Sequence, residues 1–218
     1  MATAEHTRLI TAAARAALKP LGCTQKGRSR IWLDDQGWWL GVVEFQPSSW
    51  SRGSYLNVGA CWLWNEKDYL SFDAGYRVAP FQPFTNAEDF AQAAQALAER
   101  AAAEVLALRE RFPTPVHVHG WIATNSSAPL WSSYHAAVSL GLAGDSERSR
   151  QMFAEVIADT HDTEWAIALR QRCVALVQLL QTPGEFAAEV AAGVQRTRRL
   201  LGLPAWVGEA FPRVDRQN

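Results

Sequence analysis

The fold is decided by the stretch Arg28-Ser29-Arg30-Ile31-Trp32-Leu33-Asp34-Asp35-Gln36-Gly37-Trp38-Trp39-Leu40-Gly41-Val42-Val43-Glu44-Phe45-Gln46. Two runs rich in Trp, Ile, Val and Phe flank Asp34-Asp35-Gln36-Gly37, where short polar side chains and a glycine suit a hairpin turn. The same strand-forming composition continues to Val78. Within it, Gln46-Pro47-Ser48-Ser49-Trp50-Ser51-Arg52-Gly53-Ser54 reads as a longer loop and Asn65-Glu66-Lys67-Asp68 as the next turn. Four strands joined in this way predict an antiparallel meander.

Helices are expected on both sides of the sheet. Before it, Thr3 to Lys19 has helical spacing, with Leu9, Ala13, Ala16 and Ala17 on one face, and Pro20 and Gly22 end the helix. After it, a long helix should run from Asn86 or Ala87 to about Arg111, with Thr85 and Glu88 at the spacing of a capping box. Phe90, Leu97, Ala101, Val105, Leu108 and Phe112 form its apolar stripe, expected to lie against the sheet. Pro113-Thr114-Pro115 marks a boundary, and Val116-His117-Val118-His119 reads as a short extended piece. Four helices should follow, near Leu130–Leu142, Ser146–Ala158, Thr163–Leu180 and Pro183–Leu201, with Asp145 or Ser146 as one N-cap. The expected class is α+β: residues 1–115 form a sheet region with flanking helices, and 116–218 a helical region packed with it as one unit.

Several segments together resemble a family of bacterial domains of unknown function. They are Leu18-Lys19-Pro20-Leu21-Gly22-Cys23-Thr24-Gln25-Lys26-Gly27-Arg28, Val43-Glu44-Phe45-Gln46 and Tyr55-Leu56-Asn57-Val58-Gly59. The likeness covers the first 60–80 residues. Cys23 stands where the family usually carries an aromatic residue. The resemblance implies a helix leading into antiparallel strands and a bacterial origin, and it brings no reaction or catalytic residue with it.

Strand alternation turns the meander into two chemical faces, because neighbouring side chains point to opposite sides. Trp38, Leu40, Val42, Glu44 and Gln46 share one face of the second strand. Arg28, Arg30 and Trp32 line up on the first, and Tyr55 and Asn57 on the third. On the fourth, Leu70, Phe72, Ala74, Tyr76 and Val78 are apolar, leaving Tyr69, Ser71, Asp73 and Arg77 opposite. If the polar sides coincide, Arg28, Arg30, Trp32, Glu44, Gln46, Asn57, Asp73 and Arg77 form one surface. Such a mixture of rigid aromatic area and polar groups suits specific recognition. The plainer reading is the solvated outer face of an antiparallel sheet.

Equipment for catalysis is sparse. Glu44 and Asp73 could pair as acid and base, though carboxylates on neighbouring strands are more often structural or bridged to Arg. His117 and His119 on one face of a strand have a metal-holding spacing. A third ligand is wanting, since no motif places His135, His161, Asp162 or Glu164 beside them. There is no nucleophile elbow, no His-Glu-x-x-His, no phosphate-binding glycine loop and no dinucleotide fingerprint. No metal and no cofactor are expected. Cys23, Cys61 and Cys173 are widely spaced and odd in number, which signals neither a zinc knuckle nor a disulfide framework.

Composition narrows the partners. The 218 residues are 48% hydrophobic and 20% charged, enough for a substantial core. Lys+Arg 21 against Asp+Glu 22 gives a net charge of -1, so no overall field recruits nucleic acid or an acidic membrane. Arg196, Arg198 and Arg199 form a small basic cluster, read as cations at the negative end of a helix. No apolar run approaches the roughly 18–20 residues of a membrane span, and the acidic start lacks the look of a secretory signal. A cytoplasmic location is expected. Ten Trp offer gripping area, while the plainer reading puts each of them in the core of the strand-rich region. The expectation is a non-catalytic protein-binding module, with an immunity or inhibitor protein as the specific role. The alternatives are a hydrolase or small-molecule-binding enzyme using the polar sheet face, and a homo-oligomeric structural module.

Overall fold

The computed structural model describes residues 4–125 and 129–212. Its elements run α1 (Glu5–Leu18), a short 3-10 turn (Lys19–Leu21), β1 (Thr24–Gln25), β2 (Ile31–Asp35), β3 (Trp39–Glu44), β4 (Gly53–Trp62), β5 (Ala74–Pro83) and α2 (Ala87–Arg111). Then come α3 (Val116–Asn125), α4 (Pro129–Leu142), α5 (Ser146–Ile157), α6 (Glu164–Leu179) and α7 (Pro183–Leu200). The chain is α+β, with one antiparallel sheet in the order β1-β2-β3-β4-β5. Four of its strands are the expected meander. The fifth, β1, is a two-residue strand pairing Thr24 with Leu33 and Gln25 with Trp32, too short to leave a periodic trace.

The β2–β3 hairpin turns where its residues allow. Gly37 has φ +81, open to glycine without strain. The Asp35 carboxylate accepts the Gly37 N–H at 3.0 Å, closing an Asx turn. The next connection differs from expectation. β5 begins at Ala74, so residues 63–73 form a long loop in place of a turn at 65–68, and Leu70 and Phe72 precede the strand. Buried polar groups hold this loop. Lys67 Nζ donates to Ser71 Oγ at 2.6 Å and to Asp73 Oδ2 at 2.9 Å, and Asp73 Oδ2 also accepts the Trp62 N–H at 2.7 Å.

Gly59 and Gly75 sit opposite each other on β4 and β5. A Cβ on Gly59 would lie 2.6 Å from Gly75 Cα and 2.9 Å from Phe72 Cδ1, so the glycines leave a shallow seat covered by the Phe72 ring. At the hairpin end of the sheet Trp38, Trp39, Trp62 and Trp64 are fully buried. The planes of Trp38, Trp62 and Trp64 lie within 17° of one another, with centroids 5.1–5.6 Å apart.

α2 follows its stripe: Phe90, Leu97, Ala101, Val105 and Leu108 are all buried. Its cap lies one residue later than Thr85 and Glu88. Asn86 Oδ1 accepts the Asp89 N–H at 3.0 Å, while Asn86 Nδ2 donates to the Asp89 carboxylate at 2.6 Å. Asn is as good an N-cap as Ser or Thr, and the better-placed side chain wins. α2 meets the sheet face that carries Asp34 and Tyr76. Arg109 clamps Asp34, and Tyr76 Oη donates to Glu104 Oε1 at 2.9 Å.

By contact density the chain divides after Glu110 and again around residues 200–203, which rejoin the first unit. The second unit, from Arg111, is helical. Phe112 belongs to it and packs edge-on against Trp121, centroids 6.1 Å apart, so the last residue of the expected α2 stripe serves the second unit. Val116–His119 is the first turn of α3 and not an extended piece, with Val118 and Ile122 buried one turn apart. Asp145 caps α5 by accepting the Arg148 N–H. Arg198 is 1% exposed and donates to the Pro204 carbonyl at 2.7 and 2.9 Å, so this member of the basic cluster is structural. No described helix is long and apolar enough to cross a membrane.

Candidate functional site

Sheet register decides which polar residues meet. Glu44 of β3 pairs with Asn57 of β4, and Asn57 pairs with Arg77 of β5, which sets three polar side chains in a row on one face. Asn57 Nδ2 donates to Glu44 Oε2 at 2.9 Å and to Gln46 Oε1 at 3.1 Å. Arg77 donates from Nε to Asn57 Oδ1 at 3.3 Å and from its terminal nitrogen to Gln46 Oε1 at 2.8 Å. Its guanidinium carbon stands 4.0 Å from the centre of the Tyr55 ring. Phe81 adds a second aromatic wall, its centroid 4.9 Å from that of Tyr55. Arg77 is exposed, so these contacts orient a cation that still faces water.

Four of the eight expected residues, Glu44, Gln46, Asn57 and Arg77, are therefore joined in one hydrogen-bonded group. The other four lie elsewhere. Asp73 sits near Ala60 and Trp62, about four residues along β4 and so roughly 13 Å away. Bound to Lys67 and Ser71, it is no acid–base partner for Glu44.

Arg28 and Arg30 precede β2, which starts at Ile31, so neither is a strand residue. Arg30 donates to Thr7 Oγ1 of α1 at 2.6 Å and to the Gly53 carbonyl at 3.1 Å, which makes it a structural brace. Burial lowers the pKa of its guanidinium. Trp32 pairs with Val43 on the opposite side from Glu44 and is buried.

The histidines also differ from expectation. His117 and His119 stand on a helix, where residues two apart point in different directions. His117 Nδ1 is 3.0 Å from Thr114 Oγ1, and His119 Nδ1 is 3.3 Å from Ser139 Oγ. Burial first, and then the charge of Arg148, hold His119 below its ordinary pKa. Among the described residues no group of three or more His, Cys, Asp or Glu stands close enough to hold a metal.

Two exposed Trp escaped the strand-based reading. Trp50, 94% exposed, lies in the β3–β4 loop at the same end of the sheet as Gln46 and Tyr55. A lone Trp amid Ser and Pro was the available sign. Trp165 of α6, half exposed, stacks on Trp131 of α4 at 5.7 Å in the second unit. Compared with protein-family models, with curated proteins and with solved structures, the chain finds no match in any of the three.

Proposed function

We propose that the chain is a non-catalytic module that binds another protein through the sheet face around Arg77. The observation that carries this reading is the orientation of Arg77, held over Tyr55 and against Gln46 and Asn57 while its guanidinium stays exposed. An Arg whose side chain is already ordered loses less entropy on binding, and Arg, Tyr and Trp are the residues that dominate interfaces. Trp50 supplies an exposed indole at the same end of the sheet. The specific role we infer is an immunity or inhibitor protein acting in the cytoplasm of a bacterium, related to the domains its N-terminal segments resemble.

A pull-down from native bacterial lysate tests this. The wild type, Arg77→Ala and Trp165→Ala are compared by mass spectrometry. One stoichiometric protein retained by the wild type and by Trp165→Ala, and lost by Arg77→Ala, is the expected result. Absence of any protein partner overturns the reading, as does a partner that Arg77→Ala retains in full.

A further inference from the structure

A second polar site lies on the first unit, away from the Arg77 row. α1 and the turn between β1 and β2 flank a shallow, open cleft of about 740 Å³, roomy enough for a small molecule. Three arginines line it. Arg8 and Arg15 come from α1 and Arg28 from the turn, with Thr11 and Gln25 between them.

The charges are open to a ligand. The side chains of Arg15 and Arg28 are exposed and make no hydrogen bond or ion pair among the described residues. Arg8 has one ion pair, a 3.6 Å contact with Glu5 between side chains 66% and 51% exposed, which is weak in water. Three cations against one carboxylate stand out in a chain whose net charge is -1. The turn that carries Arg28 is pinned. Gln25 Nε2 donates to the Ser29 carbonyl at 2.7 Å, Ser29 Oγ to the Lys26 carbonyl at 2.7 Å, and Lys26 N–H to the Ile31 carbonyl at 2.9 Å. Arg30 ties the same turn to α1 through Thr7.

We propose that this cleft binds a small molecule carrying two or more phosphate groups. Guanidinium forks match phosphate oxygens in paired hydrogen bonds. Arg8 and Arg15 are seven residues apart on one helix face, about 10.5 Å along its axis. A diphosphate has two phosphoryl ends, and so offers these three guanidiniums more paired contacts than a single orthophosphate does. Thr11, between the two arginines, offers a hydroxyl to the same oxygens. A net charge of -1 gives no overall field that would draw in a long polyanion.

Isothermal titration at low salt with inorganic pyrophosphate tests the proposal on the full chain. The expected result is one-to-one binding, with orthophosphate at least about tenfold weaker. The Arg15→Ala/Arg28→Ala double variant should also bind at least about tenfold more weakly, as should Thr11→Glu, which sets a carboxylate in the cleft. Arg77→Ala should bind pyrophosphate like the wild type, so this site and the proposed protein-binding face fail or stand separately. No binding of pyrophosphate overturns the proposal, as does equal binding of orthophosphate or unchanged binding by both cleft variants. A single-stranded oligonucleotide that displaces pyrophosphate at lower concentration overturns it in favour of a nucleic-acid backbone.

Discussion

Arg109 of α2 closes both ends of its fork on Asp34 of β2, with Nε 3.0 Å from Oδ2 and a terminal nitrogen 2.6 Å from Oδ1. The same terminal nitrogen donates to the Leu21 carbonyl at 2.6 Å. One side chain thus joins the long helix, the hairpin and the end of the 3-10 turn. The Asp34 side chain is 4% exposed and that of Arg109 31%, so the carboxylate depends on the pair more than the guanidinium does.

Arg109→Ala should therefore cost about 3 kcal/mol, the lower end for stranding a buried charge, because Gln36 still donates to Asp34. Asp34→Asn should cost less, since Arg109 can turn toward water. Urea unfolding of the two variants checks the order, and an equal or reversed cost would contradict this account.

Gly59→Ala should destabilise the β4–β5 pairing by about 2 kcal/mol, as overpacking against backbone cannot be relieved by a rotamer change. The new methyl would sit 2.6 Å from the Ala74 carbonyl oxygen and from Gly75 Cα. Hydrogen exchange should show the loss first in the amides of β5.

On the proposed interface, Arg77→Ala and Trp50→Ala should each weaken partner binding by about tenfold or more. Both side chains are exposed, so each should cost no more than about 1 kcal/mol of stability, Arg77 the more because it gives up its bonds to Asn57 and Gln46. Titration calorimetry and thermal melts on the same preparations separate the two effects.

Acid should act on the second unit through Glu189. Hydrogen bonds from Arg172 and then Arg196 hold its carboxyl below the ordinary carboxylate value. The unfolded chain binds that proton more readily than the folded one. The stabilisation is therefore complete above the ordinary value, and it is lost as pH falls through the lowered folded value. Glu189→Gln should be less stable than the wild type at neutral pH, with the gap closing below roughly pH 4. Urea midpoints across that range provide the comparison.

The thiols of Cys23 and Cys173 should resist labelling in the native protein. Burial pushes them up to about 11 and about 12 respectively, so little reactive thiolate exists at around pH 8. A disulfide reagent should react with them only as urea unfolds the chain.

Much of this architecture was legible because side-chain period and turn chemistry agree. Asp35 and Gly37 mark the hairpin by residue type, and the α2 stripe repeats often enough to distinguish a helix from a strand. Val116–His119 failed because so short a piece cannot separate a period of two from one of 3.6. Ile122, one turn beyond Val118, was the discriminating residue. The loop 63–73 reads as a short turn because Lys67 and Asp73 look like surface charges, whereas each holds the other inside. For the site, alternation placed Glu44, Gln46, Asn57 and Arg77 together. It put Trp32 on the wrong side because Ile31, and not an arginine, is the residue in register with Glu44.

The brickwork of Trp38, Trp62 and Trp64 gives the sheet its own optical signature. Indoles at such separations share their excitation, so near-ultraviolet circular dichroism becomes a gauge of one end of the meander. Replacing Trp165 with Phe would remove the stacked pair it makes with Trp131 from that spectrum. Any ligand or partner could then be asked, without a label, whether its arrival disturbs the strands.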